Sequence, residues 1–302
     1  MSAAVDVHID TEACTGCSRC VSVCPSQTLA FVDGKAAVAG RSCIGCCQCA
    51  AVCPEGAVEV DGFDGWAESP SAFRMDDACV APGEYPVADL VRLMRSRRSV
   101  RSYSDEPVPL ALLEDLVRIG VTAPSGTNSQ KWAFTLLPKR TAVVDFAKDV
   151  ARFFRGLNRL AANPALRLVT RLCGYKALEE YHREHYPSVV RALREWDEEG
   201  VDRLFHGAAA AIVVSSQPGA SCPGEDALLA TQNILLGAHA LGLGTCLIGY
   251  AVSAMEHDGR IGRALGIPKG EKVYAVIAVG YPKIQYARTT RRKRPLVRVV
   301  GG

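Results

Sequence analysis

Several features that would point quickly to a function are missing from this chain. It has no G-x-G-x-x-G dinucleotide fingerprint, since "GLGTCLIG" lacks both the spacing and a preceding strand. An excess of one charge is missing: 35 Lys and Arg stand against 32 Asp and Glu, so a net +3 gives no argument for a polyanionic partner. No aromatic residues interleave the arginine runs and no nucleic-acid module is recognisable, so a nucleic-acid partner is not expected. The first residues, "MSAAVDVHID", show neither the basic nor the apolar region of a secretory signal, and the expected location is cytoplasmic. The longest apolar stretch, 226–249, is interrupted by Asp226, Gln232, Asn233 and His239 and closed by Gly242 and Gly244, which argues against a membrane span. Hydrophobic residues make up 48% and charged residues 22% of the 302, an ordinary globular balance with length for one large domain or two.

What the sequence has in excess is cysteine, and it is concentrated. Nine of the 13 cysteines lie before residue 54. Cys14, Cys17, Cys20 and Cys24 read "CTGCSRCVSVCP", and Cys43, Cys46, Cys49 and Cys53 read "CIGCCQCAAVCP". Both follow C-x2-C-x2-C-x3-C-P, the bacterial ferredoxin run for a [4Fe–4S] cluster, in which the fourth cysteine ligates the other cluster. Cys14, Cys17 and Cys20 are therefore expected to share a cluster with Cys53, and Cys43, Cys46 and Cys49 with Cys24. Zinc is the competing reading, but it usually takes four ligands from two well-separated C-x2-C pairs. In a reducing compartment such clusters read as metal sites rather than disulfides. Cys47 is surplus: the first run has Ser18 at that place. It is expected to be a small buried residue beside the cluster, donating a weak S–H hydrogen bond.

The two runs lie in an internal duplication, each half reading as strand, cysteine loop, short helix and strand. "TLAFVDGKAAV" carries an Asp-Gly hairpin signal. A unit of this size, residues 1–62, cannot rest on its apolar core alone. Residues 63–86 are rich in Gly, Pro and Asp and read as a linker over the next domain, pinned by Trp66, Phe73 and Tyr85, with Cys79 inert.

The second domain, 87–302, opens with helical spacing at Leu90, Leu93 and Met94. "RRSVRSY" follows, then "DEPVP" leading into a helix with Leu112, Leu113, Leu116 and Val117 inward, then "APSGTNSQKW", "ATQNILLGAHALGLGTCLIG" and "YAVIAVGYPK". This ordered set resembles the FMN-dependent nitroreductase family, and the whole chain resembles a ferredoxin–nitroreductase fusion. The resemblance implies an α+β chain: a ferredoxin-like 2[4Fe–4S] domain followed by an α/β nitroreductase fold with a central mixed sheet flanked by helices. It also implies a homodimer in which the long helix of 226–249 packs on its mate through small residues.

The resemblance further implies a cofactor site. Arg97 and Ser99 match positions that hold the FMN phosphate or ribityl chain, Arg98 lies along the flavin, and Arg101 reaches its N1–C2 carbonyl edge. Pro124, Ser125, Gly126 and Asn128 line the cofactor, with Gln130 nearby. Leu247, Ile248 and Gly249 pass flavin N5, with Cys246 a small core residue beside them. Arg292 and Lys293, in the basic tail, return to the phosphate. The spacing alone also admits a solvated basic helix end and an ordinary turn loop. Residues 145–205 leave the common core of the family. They read as helices carrying a Phe153, Phe154, Leu157 and Leu160 stripe and a cluster of Tyr175, Tyr181, His182, His185 and Tyr186. This insert reads either as a lid over the flavin or as a solvated helical hairpin, with Cys173 a candidate lid thiol.

These readings combine into a flavin-dependent oxidoreductase. Electrons from a low-potential donor, a ferredoxin-type protein or a reductase, pass through two clusters to FMN and on to a small organic acceptor: a nitroaromatic, quinone, enone or related compound. The chemistry resides at flavin N5, so no catalytic side chain is expected. The alternative is an electron-transfer hub serving a partner protein, with no small-molecule substrate of its own.

Overall fold

A computed structural model describes residues 5–40, 42–76 and 78–301. The N-terminal unit consists of β1 (Val7–Ile9), α1 (Arg19–Val23), β2 (Leu29–Val32), β3 (Lys35–Val38), α2 (Gln48–Ala51) and β4 (Val58–Val60). β2 and β3 form the expected hairpin. Asp33 and Gly34 both take positive φ, 48° and 81°, as the tight turn between twisted strands requires. β1 pairs antiparallel with β4, Val7 opposite Val60, so the first strand of one repeat closes on the last strand of the other. The duplication extends to the backbone: Ser18 and Cys47 precede the two short helices, both left-handed at φ 59° and 54°. Among the described residues the buried apolar core here is Cys20, Leu29, Ala36, Cys49, Ala57 and Val58 with a partly buried rim. So few side chains leave much of the stability to whatever the cysteines bind.

The larger unit runs α3 (Val87–Ser96), α4 (Leu110–Gly120), β5 (Trp132–Leu137), α5 (Arg140–Ala162), α6 (Pro164–Leu172), α7 (Ala177–Glu184), α8 (Tyr186–Glu199), β6 (Ala210–Ser216), α9 (Pro223–Ala240), β7 (Gly244–Leu247), α10 (Gly249–His257), α11 (Gly259–Ala264) and β8 (Lys272–Gly280). The strand order is β5-β6-β8-β7, with all three ladders antiparallel. An isolated bridge from Ser99 to Thr245 is the parallel element of this mixed sheet. Every residue of β6 is buried, because both faces are covered. Ala211 and Val213 face one core with Phe146, Val150 and Phe205, while Ile212 and Val214 face the other with Leu113, Leu116 and Ile234. Leu113, Leu116 and Val117 of α4 are inward as their spacing predicts. In α3, by contrast, Leu90 and Met94 remain 38% and 45% exposed, so the helix has an uncovered apolar side.

α9 departs from expectation. Its small residues are turned into the chain, with Ala227, Ala230 and Ala238 fully buried. A Cβ on Gly237 would stand 2.7 Å from Ile119, and one on Gly120 would stand 2.9 Å from Ile234. The glycines let α4 and α9 approach closely, so the small-residue packing lies within the chain. The large apolar side chains that α9 leaves exposed are Leu228 and Leu229. Among the described residues, no helix is long and apolar enough to cross a membrane.

The segment after Asp61 is pinned differently from the expectation of three aromatic anchors. Tyr85 is 56% exposed and Trp66 40% exposed, while Phe73 is partly buried. The anchor is Asp115 on α4, with 0% exposure. Its carboxylate accepts from Ser71 N (3.0 Å), Ala72 N (2.7 Å), the Ser71 hydroxyl (2.9 Å) and Arg118 (2.9 Å). The Arg118 guanidinium then lies 4.3 Å from the centroid of the Trp66 ring. A segment without regular structure has free backbone N–H groups, and a buried acceptor satisfies them.

In the insert, Phe154 is buried and Phe153 and Leu157 pack against it, but Leu160 is half exposed where α5 runs past the core.

Candidate redox sites

The cysteine loops bring donors together across the duplication. Cys24, Cys43, Cys46 and Cys49 line one cavity, together with Cys47 and Ile44. Cys20 is surrounded differently: burial pushes its thiol up, and the nearby Cys53 and Cys14 sulfurs push it further. Each grouping thus mixes one run with the last cysteine of the other. Cys17 lies at the surface. Backbone N–H groups point at sulfur: Thr28 donates to Cys24 Sγ at 3.3 Å, Gly45 to Cys43 Sγ at 3.4 Å, and Ala57 to Cys53 Sγ at 3.3 Å. At Cys24 burial pushes the thiol up, but the N–H groups of Leu29 and Thr28 outweigh it and hold it below the ordinary thiol value. Among the described residues no three His, Cys, Asp or Glu side chains converge on a single-ion position. Cys24, Cys43, Cys46 and Cys49 ring a cavity instead, and soft donors around a cavity fit a cluster of iron and sulfide. The Cys47 thiol donates to the Gly45 carbonyl at 3.7 Å, the weak hydrogen bond expected of it.

The second site begins where α3 ends. Residues 97–101 run extended beside β7, with Val100 N donating to Thr245 O at 2.9 Å. Val100 turns inward, so close to Gly244 that a Cβ there would lie 2.8 Å from it. Ser99 and Arg101 reach the buried Cys246 thiol, which burial pushes up and Arg101 and Arg97 pull back. Cys246 is thus a small core residue, 3% exposed. Arg97 is depressed first by burial and then by the Arg98 and Arg292 guanidinium groups, which places the basic tail beside it. His239, at the end of α9, is held below its ordinary value by burial, Arg97 and Arg98.

Among the described residues this cation group has no carboxylate partner, although Arg292 donates to the Thr290 hydroxyl at 2.8 Å. Among the described residues, no salt bridge includes Arg97, Arg98, Arg101 or Arg292. Arg98 donates through Nη1 to the Arg97 carbonyl at 2.7 Å, but its Nε and Nη2 are buried with no partner. Partly desolvated, unpaired guanidinium groups are costly, and a phosphate dianion satisfies them. Leu247, half exposed, and buried Ile248 follow at the end of β7, and Gly249 opens α10. Lys293 is exposed and makes no side-chain hydrogen bond or ion pair among the described residues.

The loop of residues 124–130 lies elsewhere. Thr127, Asn128 and Gln130 take positive φ (51°, 54° and 46°), a costly backbone for side-chain-bearing residues. Asp226, 2% exposed at the start of α9, holds the loop by accepting from Gly126 N at 2.9 Å and the Ser129 hydroxyl at 3.3 Å. Gly126 has no room for a side chain, since a Cβ would come 2.8 Å from Cys222 Sγ. Ser125 Oγ accepts from Gln130 N at 3.0 Å, while Pro124 and Gln130 are exposed. Asn128 donates through Nδ2 to the carbonyls of Ile44 (3.1 Å) and Gly45 (2.9 Å), in the second cysteine loop.

One chain therefore splits the expected flavin residues. Arg97 and Arg98 lie beside His239 at one end of α9, with Arg292 next to Arg97, Ser99 and Arg101 at Cys246, and Leu247–Gly249 further along β7 against Val276 and Ile277. Pro124–Gln130 stand at the Asp226 end, separated by roughly 20 Å at about 1.5 Å per helical residue. Asp226, His239 and the interdomain role of Asn128 were not read from the sequence. Asp226 stood out there only as a charge interrupting an apolar stretch.

The insert closes on Tyr250, immediately after Gly249. A cavity of about 530 Å³ lies between α5, α8 and α10, lined by Val150, Phe154, Val189, Trp196, Arg203 and Tyr250 among others. The Tyr250 hydroxyl lies 3.3 Å from His185 Nδ1, and the Phe154 ring meets Tyr250 edge-on at 5.4 Å. Tyr181 donates to Asn158 at 2.7 Å, whereas Tyr175 and Cys173 are exposed and outside this cluster.

Comparison with known proteins accounts for both units. Residues 6–54 match the 4Fe-4S dicluster domain model. An NADH dehydrogenase from Thermus thermophilus is 28% identical over 216 residues, 71% of this chain and 96% of that protein. A 4-nitrobenzoate reductase from a Nocardioides strain is 27% identical over 210 residues, 64% of this chain and 81% of that protein. An iodotyrosine deiodinase from Drosophila melanogaster is 26% identical over 203 residues, 64% of this chain and 62% of that protein. The crystal structure of an FMN-bound nitroreductase from Bacteroides fragilis has a TM-score of 0.50 and 23% identity, covering 70% of this chain and 98% of that one, a likeness of fold. With residues 94–281 matching the family model, the chain belongs to the nitroreductase family and carries a 4Fe-4S dicluster domain ahead of that fold.

Proposed function

We propose that this chain is an FMN-dependent oxidoreductase whose own ferredoxin-like unit supplies the electrons. The eight cysteines of the two runs would hold two [4Fe–4S] clusters able to take electrons from a low-potential one-electron donor, and the arginine group would hold an FMN, whose chemistry is reduction of a small organic acceptor such as a nitroaromatic, quinone or enone. The observation that carries this reading is the unpaired guanidinium group of Arg97, Arg98, Arg101 and Arg292 in a chain that also holds a dicluster unit. Arg97 and Arg292 would hold the FMN phosphate, Ser99 the ribityl chain, Arg98 and Arg101 the ring edge, and Leu247–Gly249 would line the reactive face. When bound, FMN accepts one or two electrons and returns them as a hydride equivalent. The side chains around it need only bind, orient and exclude water, so the reading assigns no nucleophile.

The split across α9 supports a homodimer in which Pro124–Gln130 of one copy complete the cradle of the other. The exposed Leu228 and Leu229 of α9 and Leu90, Val91 and Met94 of α3 provide apolar surface for such a contact. The reading divides the chain into a cluster unit (1–62), a linker (63–86) and a flavin unit (87–302). The 530 Å³ cavity behind Tyr250 is the candidate acceptor pocket: Phe154, Trp196 and Tyr250 suit a flat ring, and Arg191, Glu195 and Arg203 offer polar groups at its wall.

Anaerobic purification followed by metal and flavin analysis tests the proposal. Expected are about eight irons and one non-covalent FMN per chain. Zinc in place of iron, or a chain that takes up no FMN, would overturn it.

A further inference from the structure

The Asn128 contact assigns a direction to the ferredoxin unit. Asn128 belongs to the loop at the Asp226 end of α9, and its amide is committed to the carbonyls of Ile44 and Gly45. Gly45 lies between two ligands of one cluster site only, that of Cys43, Cys46, Cys49 and Cys24. Its N–H donates to Cys43 Sγ at 3.4 Å, while its carbonyl also receives the Cys47 thiol at 3.7 Å. The surplus cysteine thus shares its acceptor with the interdomain bond. Among the described residues, no side-chain hydrogen bond joins the Cys14–Cys20 loop to the larger unit.

We infer that Asn128 is a positioning residue that seats the Cys43–Cys49 loop against the flavin loop, so that electrons leave through that cluster, and that the clusters of one chain serve the flavin cradled by the other. This rests on the proposed function and adds the exit cluster, the dock and the crossing between subunits. The crossing follows from placement: the ferredoxin unit is anchored at the Asp226 end of α9, roughly 20 Å from its own Arg97. In a homodimer, Pro124–Gln130 face the cradle of the partner. Two electrons, one from each reduced cluster, and two protons from solvent complete the reduction of one flavin. A low-potential one-electron donor protein of ferredoxin type then refills the clusters.

The dock is tested first by spectroscopy on the full-length, cofactor-loaded dimer. Asn128→Asp removes both N–H donors and keeps an oxygen in place. After reduction with dithionite, one of the two cluster resonances should shift, and it should be the resonance that Cys46→Ala abolishes. No shift, or a shift in the resonance that survives Cys46→Ala, would overturn the dock. FMN content is measured in the same samples, so a loss of flavin is distinguished from a change at the cluster.

The crossing is tested with mixed dimers carrying different tags. One dimer pairs an Arg97→Ala chain with a Cys46→Ala chain; the other joins both changes in one chain opposite an unaltered one. With reduced ferredoxin as donor, the remaining flavin should bleach rapidly in the first dimer and not in the second. The reverse pattern, or equal bleaching in both, would overturn the crossing. Loosening of the altered ferredoxin unit does not affect the comparison, since only intact clusters deliver electrons. An unaltered homodimer whose flavin stays oxidised with this donor would remove the proposed function, and the inference with it.

Discussion

Gly126 donates its backbone N–H to the carboxylate of Asp226 at 2.9 Å, joining a strained loop to the first turn of a helix a hundred residues away in sequence. That bond, with the one from Ser129, holds Thr127, Asn128 and Gln130 in left-handed conformations that they would not otherwise retain. Asp226→Ala leaves the Gly126 N–H without an acceptor in a confined position and should cost about 1–3 kcal/mol. Asp226→Asn, which keeps an acceptor, should cost less. Thermal unfolding checks the order of the two; equal melting temperatures for Asp226→Ala and the parent would show that the loop is held otherwise.

The linker should be released by acid. Burial pushes the Asp115 carboxyl up, but the N–H groups of Ser71 and Ala72, the Ser71 hydroxyl and Arg118 outweigh it and leave the pKa below the ordinary carboxylate value. A depressed folded-state pKa contributes stability above the unfolded value of about 3.9, and that contribution is lost as pH falls through the folded value. Limited proteolysis across residues 63–86 should therefore stay slow at neutral pH and accelerate below about pH 4. Asp115→Ala should show fast cleavage already at neutral pH and lose about 1–3 kcal/mol of stability, because it leaves the Ser71 and Ala72 N–H groups without an acceptor while Arg118 keeps the Trp66 carbonyl. Cleavage independent of pH and of Asp115 would remove this account of the linker.

Arg97→Ala should weaken FMN binding by about 1.5–3 kcal/mol, the range for a hydrogen bond to a charged group, which is roughly ten- to a hundredfold in affinity. Fluorescence titration of flavin-free protein measures it. Lys293→Ala, at a side chain with no hydrogen bond or ion pair in the structure, should change affinity far less. Equal losses from the two would show that the basic tail sits differently from the arrangement described.

The parts that were legible in the sequence have local causes. The two cysteine runs fix their own loops, Asp33-Gly34 fixes its own hairpin turn, and the spacing of Leu113, Leu116 and Val117 fixes which side of α4 is buried. The rest depends on single polar side chains meeting distant backbone. Asp115 holding Ser71 and Ala72, Asp226 holding Gly126, and Asn128 reaching Gly45 leave no periodic mark, because each needs one residue in one rotamer. The small residues of α9 were legible as a close-packing face, but not the partner of that face, which is α4 of the same chain. Likewise the flavin residues could be named only as what the family resemblance implies, while the separation of Arg97 and Arg98 from Pro124–Gln130 along α9 became apparent only in three dimensions.

The central claim is that the clusters are the route by which electrons reach the flavin. It is tested most directly by stopped-flow reduction of bound FMN with a reduced ferredoxin-type donor, comparing the parent chain with Cys20→Ala. That change removes one ligand from the cluster site of Cys14, Cys17 and Cys53 and leaves every flavin-site residue in place. The account predicts unchanged FMN content, unchanged photochemical reduction of the flavin, and strongly slowed reduction by the protein donor. Equal rates from the donor in both proteins, with loss of the cluster verified by iron analysis, would contradict it.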